Sequence, residues 1–114
     1  MPHAELKYSD DLTLPTQQML AEIEAVILRH DDGAGACKGR AYPAPDYHHS
    51  HVTISVSILQ KPHRDAAFCQ ALLDDLEHTL SAMIPVACEF SLGLHFAPQL
   101  YVTKQHRPGT ATPE

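Results

Sequence analysis

Three groups of residues in this chain have types and spacings that could do chemistry. The first is Pro2 in MPHAELKYSD, a proline directly ahead of an alternating segment. A proline there either opens an edge strand, where its missing N–H is tolerated, or is itself a working group. The second is the pair Lys38 and Arg40 in CKGRAY. Alternation places both on one face of a short strand with Tyr42, and Cys37, Gly39 and Ala41 on the other, so two cations project side by side and could hold carboxylates. The third is His48, His49 and His51, part of a total of nine histidines, because neutral imidazole is a common zinc ligand. No helical i, i+4 histidine pair accompanies them, and adjacent loop residues do not readily face one ion. No metal site is expected, and these histidines are read as surface or interface groups.

Charge narrows the partners. Eight Lys and Arg stand against fourteen Asp and Glu, a formal net charge of −6. The basic residues are scattered, which argues against a nucleic-acid footprint, so an anionic ligand must meet a local cationic pocket. Cys37, Cys69 and Cys88 have no C-x-x-C spacing and suggest neither a disulfide framework nor a cysteine zinc site. No apolar run approaches the ~20 residues that span a bilayer, and the start lacks a basic region followed by an apolar stretch. The expectation is a cytoplasmic protein with no membrane partner. At 114 residues and 44% hydrophobic the chain has room for one core. Residues 1–107 are expected to form a single domain, and 108–114, rich in Pro, Gly and Thr, a flexible tail.

The elements that must position these groups follow from periodicity. From Pro2 to Tyr8, Ala4, Leu6 and Tyr8 alternate with His3, Glu5 and Lys7, the period of a half-buried strand, with Pro2 on the buried side. Thr13 is placed to cap a helix with Pro15 in its first turn and Leu20, Ile23, Val26 and Ile27 as its apolar stripe, stopping near Gly33. After the CKGRAY strand, PAPDYHHS breaks regular structure. HVTISVSIL is the clearest strand, with Val52, Ile54, Val56 and Ile58 on one face and His51, Thr53, Ser55 and Ser57 on the other. Pro62 marks the turn into a second helix carrying Phe68, Leu72, Leu76, Leu80 and Met83 until Pro85. CEFSLGLHF gives a further strand, and QLYVTKQHR an extended arm whose Tyr101 and Val102 could pair with a neighbouring subunit's edge.

The order is β-α-β-β-α-β, two architecturally similar halves with parallel pairing within each from the crossover rule. A ferredoxin-like sandwich and a ring-forming tautomerase subunit share it. The Thr and Ser face of the third strand suits either a wet central channel or an exposed sheet face.

MPH at the start, SD at Ser9 and Asp10, KGR at Lys38 to Arg40, HVTISVSI and FSLGLHF occur in an order and spacing that resembles the 5-carboxymethyl-2-hydroxymuconate isomerases of the tautomerase superfamily, over roughly residues 1–107. The resemblance implies an α+β subunit with two helices on one face of the sheet, assembled as a homotrimer. It also implies a cofactor-independent isomerase of aromatic-compound catabolism, in which removal of Met1 leaves Pro2 as a secondary amine that shuttles a proton. A retained Met1 would put an amide there instead. The amine must be kept largely neutral near ambient pH, and burial plus nearby cations do that. Lys38, Arg40 and Arg64 are the anion-holding residues the resemblance implies for an anionic small-molecule substrate. Lys38 stands where the family typically has an arginine and lacks the planar fork; Arg40 and Arg64 match family arginines. The segment between Tyr42 and His51 is also shorter than in the relatives. Two other readings stay open: a tautomerase of smaller pyruvate-type enols, and a non-catalytic ferredoxin-like binding module.

Overall fold

The computed structural model describes residues 1–109, so 110–114 of the expected tail lie outside the described residues. Alternation sets the two central strands. In β1 (His3–Ser9) Ala4 and Leu6 turn inward, and in β3 (His51–Ile58) Val52, Ile54, Val56 and Ile58 do the same, all fully buried. Helix α1 (Thr16–His30) covers that face with Met19, Ile23, Val26 and Ile27, and α2 (Ala66–Ser81) with Leu72, Leu76 and Leu80. The edge strands are β2 (Lys38–Ala44) and β4 (Glu89–Phe96).

The strand order is β2-β1-β3-β4. β1 pairs parallel with β2, antiparallel with β3, and β3 pairs parallel with β4. The parallel strands of each half are therefore immediate neighbours. A ferredoxin-like split β-α-β unit has another strand between them, so this sheet has the tautomerase arrangement and the sandwich alternative is set aside. Both helices lie on one face. The other face is polar: Lys38, His3, Ser57 and His95 form one row across the four strands.

Local chemistry moves several boundaries. α1 begins at Thr16 with Pro15 in the cap position and no side-chain cap, so Thr13 does not cap it. The residue before a proline is kept out of the helical region, which stops the helix from starting at Leu14. At its other end α1 closes on Asp31, whose side chain accepts the Gly33 N–H at 3.1 Å; the positive φ falls on Gly35. β2 runs on to Ala44 through Pro43, past the expected break, because an edge strand tolerates a proline. α2 ends at Ser81, before Met83. Gly39 is where α1 meets β2: a Cβ there would lie 2.9 Å from Leu20 Cδ2.

Burial is uneven. Phe90, Leu92 and Leu94 of β4 face the helices but are only partly covered, and the segment after it leaves Leu100 94% and Val102 84% exposed. The radius of gyration, 16.0 Å, exceeds the ~13 Å of a compact chain of this length. No helix among the described residues is long and apolar enough to cross a membrane.

Ile54→Ala should lower unfolding free energy by about 2–5 kcal/mol through cavity formation. Asp65→Ala, which removes the cap that accepts the Phe68 N–H at 2.9 Å, should cost about 1 kcal/mol. Urea denaturation of both variants checks the order; equal losses would contradict the layered core.

Candidate functional site

The register defines the surroundings of the N-terminus. His3 stands opposite Lys38 on one side and Ser57 on the other, so Pro2 falls beside Cys37 of one neighbour and Ile58 of the other. The Pro2 carbonyl accepts the Lys38 backbone N–H at 2.9 Å, and Pro2 itself is buried. A terminus at the end of a central strand is thus held from both sides.

The terminal amine, carried here on Met1, has its pKa held below the ordinary value, by partial burial first and then by the positive charges of Lys61 and Arg64. Both cations come from the short connection between β3 and α2. The Arg64 N–H donates to the Lys61 carbonyl at 3.0 Å, closing a turn. A groove of about 500 Å³ lined by Leu59, Gln60, Ala97, Pro98, Gln99 and Tyr101 adjoins this turn. Thr103, further along the arm, brings Oγ1 to 3.8 Å from Met1 Sδ.

Arg64 is not a solvated first-turn residue. Its side chain is 2% exposed. Nε and Nη2 donate to Asp31 Oδ2 at 3.1 and 2.8 Å, and Nη1 donates to the Leu59 carbonyl at 2.7 Å. Asp31 also meets His63 Nε2 at 2.8 Å. These hydrogen bonds, that of His63 first and those of Arg64 next, hold the Asp31 carboxyl far below the usual carboxylate range. A second clamp lies alongside: Asp75 takes Arg29 Nη2 at 2.9 Å on Oδ1 and His30 Nε2 at 2.8 Å on Oδ2, and is pushed down to about 2, chiefly by Arg29.

Lys38 and Arg40 are placed elsewhere. They share the open sheet face with His3 and Glu5, opposite the side on which Pro2 is buried. Arg40 Nε lies 3.4 Å from Glu5 Oε1, and Nη1 lies 3.4 Å from His3 Nδ1. Within one chain, therefore, Arg64 comes to the terminus and the other two do not. Cys37, beside Pro2, has its thiol pushed up to about 11 by burial first and by Glu24 next, so it stays protonated and is a poor nucleophile.

The sequence reading missed Lys61 and Asp31. The signal was present: KPHRD opens the second helix with three basic groups in four positions, and RHDDG closes the first with two carboxylates. His48 and His49 stack with ring centroids 4.1 Å apart, and His51 Nδ1 meets the His49 carbonyl. Among the described residues no group of three or more His, Cys, Asp or Glu is placed to hold a metal ion. A separate apolar cleft of about 360 Å³ runs between α2 and β4, past Cys69, Leu73, Leu92 and Leu94.

Asp31→Asn should destabilise the fold by about 3–5 kcal/mol, because it leaves a buried guanidinium uncompensated. The folded-state pKa of Asp31 is depressed, so its contribution is fully present above the unfolded value of ~3.9 and is lost as pH falls below it. Stability should drop between about pH 4 and 2 in the parent and less steeply in the variant. Denaturation midpoints across that range decide; an identical slope would remove Asp31 as the cause.

Neither a family model nor a curated protein matches this chain. Solved structures do. A 5-carboxymethyl-2-hydroxymuconate delta-isomerase is similar at 15% identity, covering 93% of this chain and 89% of that one, with a TM-score of 0.76. A 5-carboxymethyl-2-hydroxymuconate isomerase from Deinococcus radiodurans R1 matches at 19% identity over 93% and 90%, with a TM-score of 0.62. A macrophage migration inhibitory factor-like protein from Entamoeba histolytica matches at 14% identity over 92% and 96%, with a TM-score of 0.64. The chain accordingly has the fold of these proteins, the tautomerase fold.

Proposed function

We propose that this chain is a cofactor-independent isomerase that ketonises an unsaturated 2-hydroxy polycarboxylate of the 5-carboxymethyl-2-hydroxymuconate type, with the Pro2 amine as proton carrier once Met1 is removed. One observation carries the reading: a terminal nitrogen sits beside the buried Pro2 at the end of a central strand, where partial burial first and then two cations disfavour its charged form. Loss of Met1 moves that nitrogen by no more than the ~3.8 Å between adjacent Cα atoms, which leaves it in the same corner. The names of two structural neighbours point to the same substrate, and the step fits the cytoplasmic breakdown of aromatic compounds.

The chemistry balances within substrate and amine. The neutral amine takes the proton of the 2-hydroxyl; the oxygen electron pair forms the C2 carbonyl and the conjugated double bonds shift along the chain. The resulting ammonium returns the proton to the distal carbon that has gained electron density, restoring the neutral amine. Cations already in place stabilise the dienolate between the two transfers. Among the described residues Arg64 gives three of its five N–H groups to Asp31 and Leu59, and its side chain is nearly withdrawn from solvent with its charge already partly balanced. Lys38 and Arg40 serve the ligand only if a neighbouring subunit turns its open face to this corner.

We take the assembly to be a homotrimer in which neighbouring faces come together; the name of one structural neighbour describes a symmetric trimer. The half-covered edge strand β4 and the exposed apolar residues of the arm favour association. A second reading, a tautomerase of smaller pyruvate-type enols, is favoured by the same corner: one of its two cations is committed to Asp31, which suits a ligand with fewer carboxylates.

Intact mass should show a chain lacking Met1. Acylating its terminal amine, or Pro2→Ala with assembly preserved, should lower kcat/KM for dienol ketonisation by about 10²- to 10⁴-fold, followed by loss of dienol absorbance; an unchanged rate excludes Pro2 as the base. Leu100→Asp with Val102→Asp should convert a particle three times the 12.6 kDa chain to single chains in sedimentation. A variant that still sediments as the trimer would show that the arm does not hold it together.

A further inference from the structure

Lys61 lies in the connection between β3 and α2, together with His63 and Arg64, in a chain of net charge −6. Its backbone is pinned on both sides by a single residue: Arg64 N–H holds the Lys61 carbonyl at 3.0 Å, and Arg64 Nη1 holds the Leu59 carbonyl at 2.7 Å. Continuing the β1–β3 register places Met1 opposite Leu59, two residues from Lys61 across the sheet end. The carboxylates of this corner are already occupied. Asp31 is taken by Arg64 and His63, and Glu24 accepts the Cys37 N–H at 2.8 Å. On the β2 side, the Lys38 side chain lies on the opposite sheet face and Cys37 is a neutral thiol. Lys61 is half-buried and makes no ion pair among the described residues.

We infer that Lys61 is a further substrate-holding residue of this site, binding the carboxylate bonded to the hydroxyl-bearing carbon of a 2-hydroxy-dienoate. The inference rests on the isomerase reading above and adds a residue and a substrate feature to it. The geometry selects that carboxylate. The amine must reach the 2-hydroxyl within hydrogen-bond distance, and in a 2-hydroxy acid the carboxylate is on the adjacent carbon. A cation close to the amine therefore meets this group and not a distal one. The flexible four-carbon stem of a lysine lets the ammonium follow the carboxylate, while the turn keeps its origin fixed. Arg64 acts through Lys61 and Asp31 as a positioning residue.

The test uses the full-length, assembled protein without Met1, as Lys61→Met and Lys61→Arg. Terminal-amine acylation by acetic anhydride, read across pH from fragment-ion masses of the N-terminal peptide, reports the amine without any turnover. Lys61→Met should move its half-titration upward, and Lys61→Arg should restore it. With a 2-hydroxy-dienoate, Lys61→Met should raise KM about tenfold with a smaller effect on kcat, and this penalty should vanish for the analogue whose adjacent carboxylate is a methyl ester. An active wild type with an unmoved amine titration and unchanged KM in Lys61→Met overturns the Lys61 assignment and leaves the isomerase reading standing. A wild type inert toward every 2-hydroxy-dienoate overturns both.

Discussion

A guanidinium almost withdrawn from water organises the candidate site. Burying Arg64 costs several kcal/mol unless the charge is paired and its N–H groups are met, and the fold meets them with Asp31 and the Leu59 carbonyl. That solution joins three pieces of chain: the end of α1, the end of β3 and the start of α2. The connection from Leu59 to Asp65 could otherwise drift as a surface loop. Tied down, it presents Lys61 at a fixed place, with Asp65 capping the helix that follows. The ion pair contributes position more than stability, since a well-packed apolar substitute could hold the same elements together without the desolvation cost.

The second constraint is that the chain begins in the middle of its sheet. A terminus usually frays, but β1 has a parallel neighbour on one side and an antiparallel one on the other, so the residues ahead of His3 are held on both sides. The same alternation that turns Ala4 and Leu6 toward the helices turns His3 and Glu5 toward the open face, and carries Lys38 and Arg40 there in register. The sheet therefore divides the basic residues into two sets. Lys61 and Arg64 act on the terminal amine electrostatically from within the chain. Lys38 and Arg40 line a polar face that a single chain leaves uncovered.

Much of this was legible in the sequence. Period-two alternation located β1 and β3, the apolar stripes located α1 and α2, and the order of elements narrowed the fold to two candidates. What it could not supply was pairing: whether the strands of each half are adjacent or split is a long-range choice that local periodicity does not encode. The site was legible only in part. Alternation correctly grouped Lys38 with Arg40, but which sheet face meets the terminal nitrogen depends on the register between strands. Arg64 looked equally suited to solvent because its partner Asp31 lies two β-strands and their connections away in sequence. Thr13 failed as a cap for a local reason, the restriction Pro15 places on Leu14, and β2 outran its expected end because an edge strand has no use for the N–H that Pro43 lacks.

Charge couples these layers. The chain is net negative, and beyond roughly 8–10 Å its many carboxylates are screened, so an anion arriving at the terminus responds to the local cations and not to the average. Partial burial first, and then those cations, hold the pKa of the terminal amine below its ordinary value. A carboxylate that docks on Lys61 cancels part of the field acting on the nitrogen, and the amine becomes a stronger base in the complex than in the free protein. In the proposed complex the two titrations are linked, because the positive charge that lowers the amine's pKa is the charge the substrate carboxylate would offset. A distant cation could bind the ligand as tightly without this effect, which is why its position beside the terminus matters more than the number of basic residues in the chain.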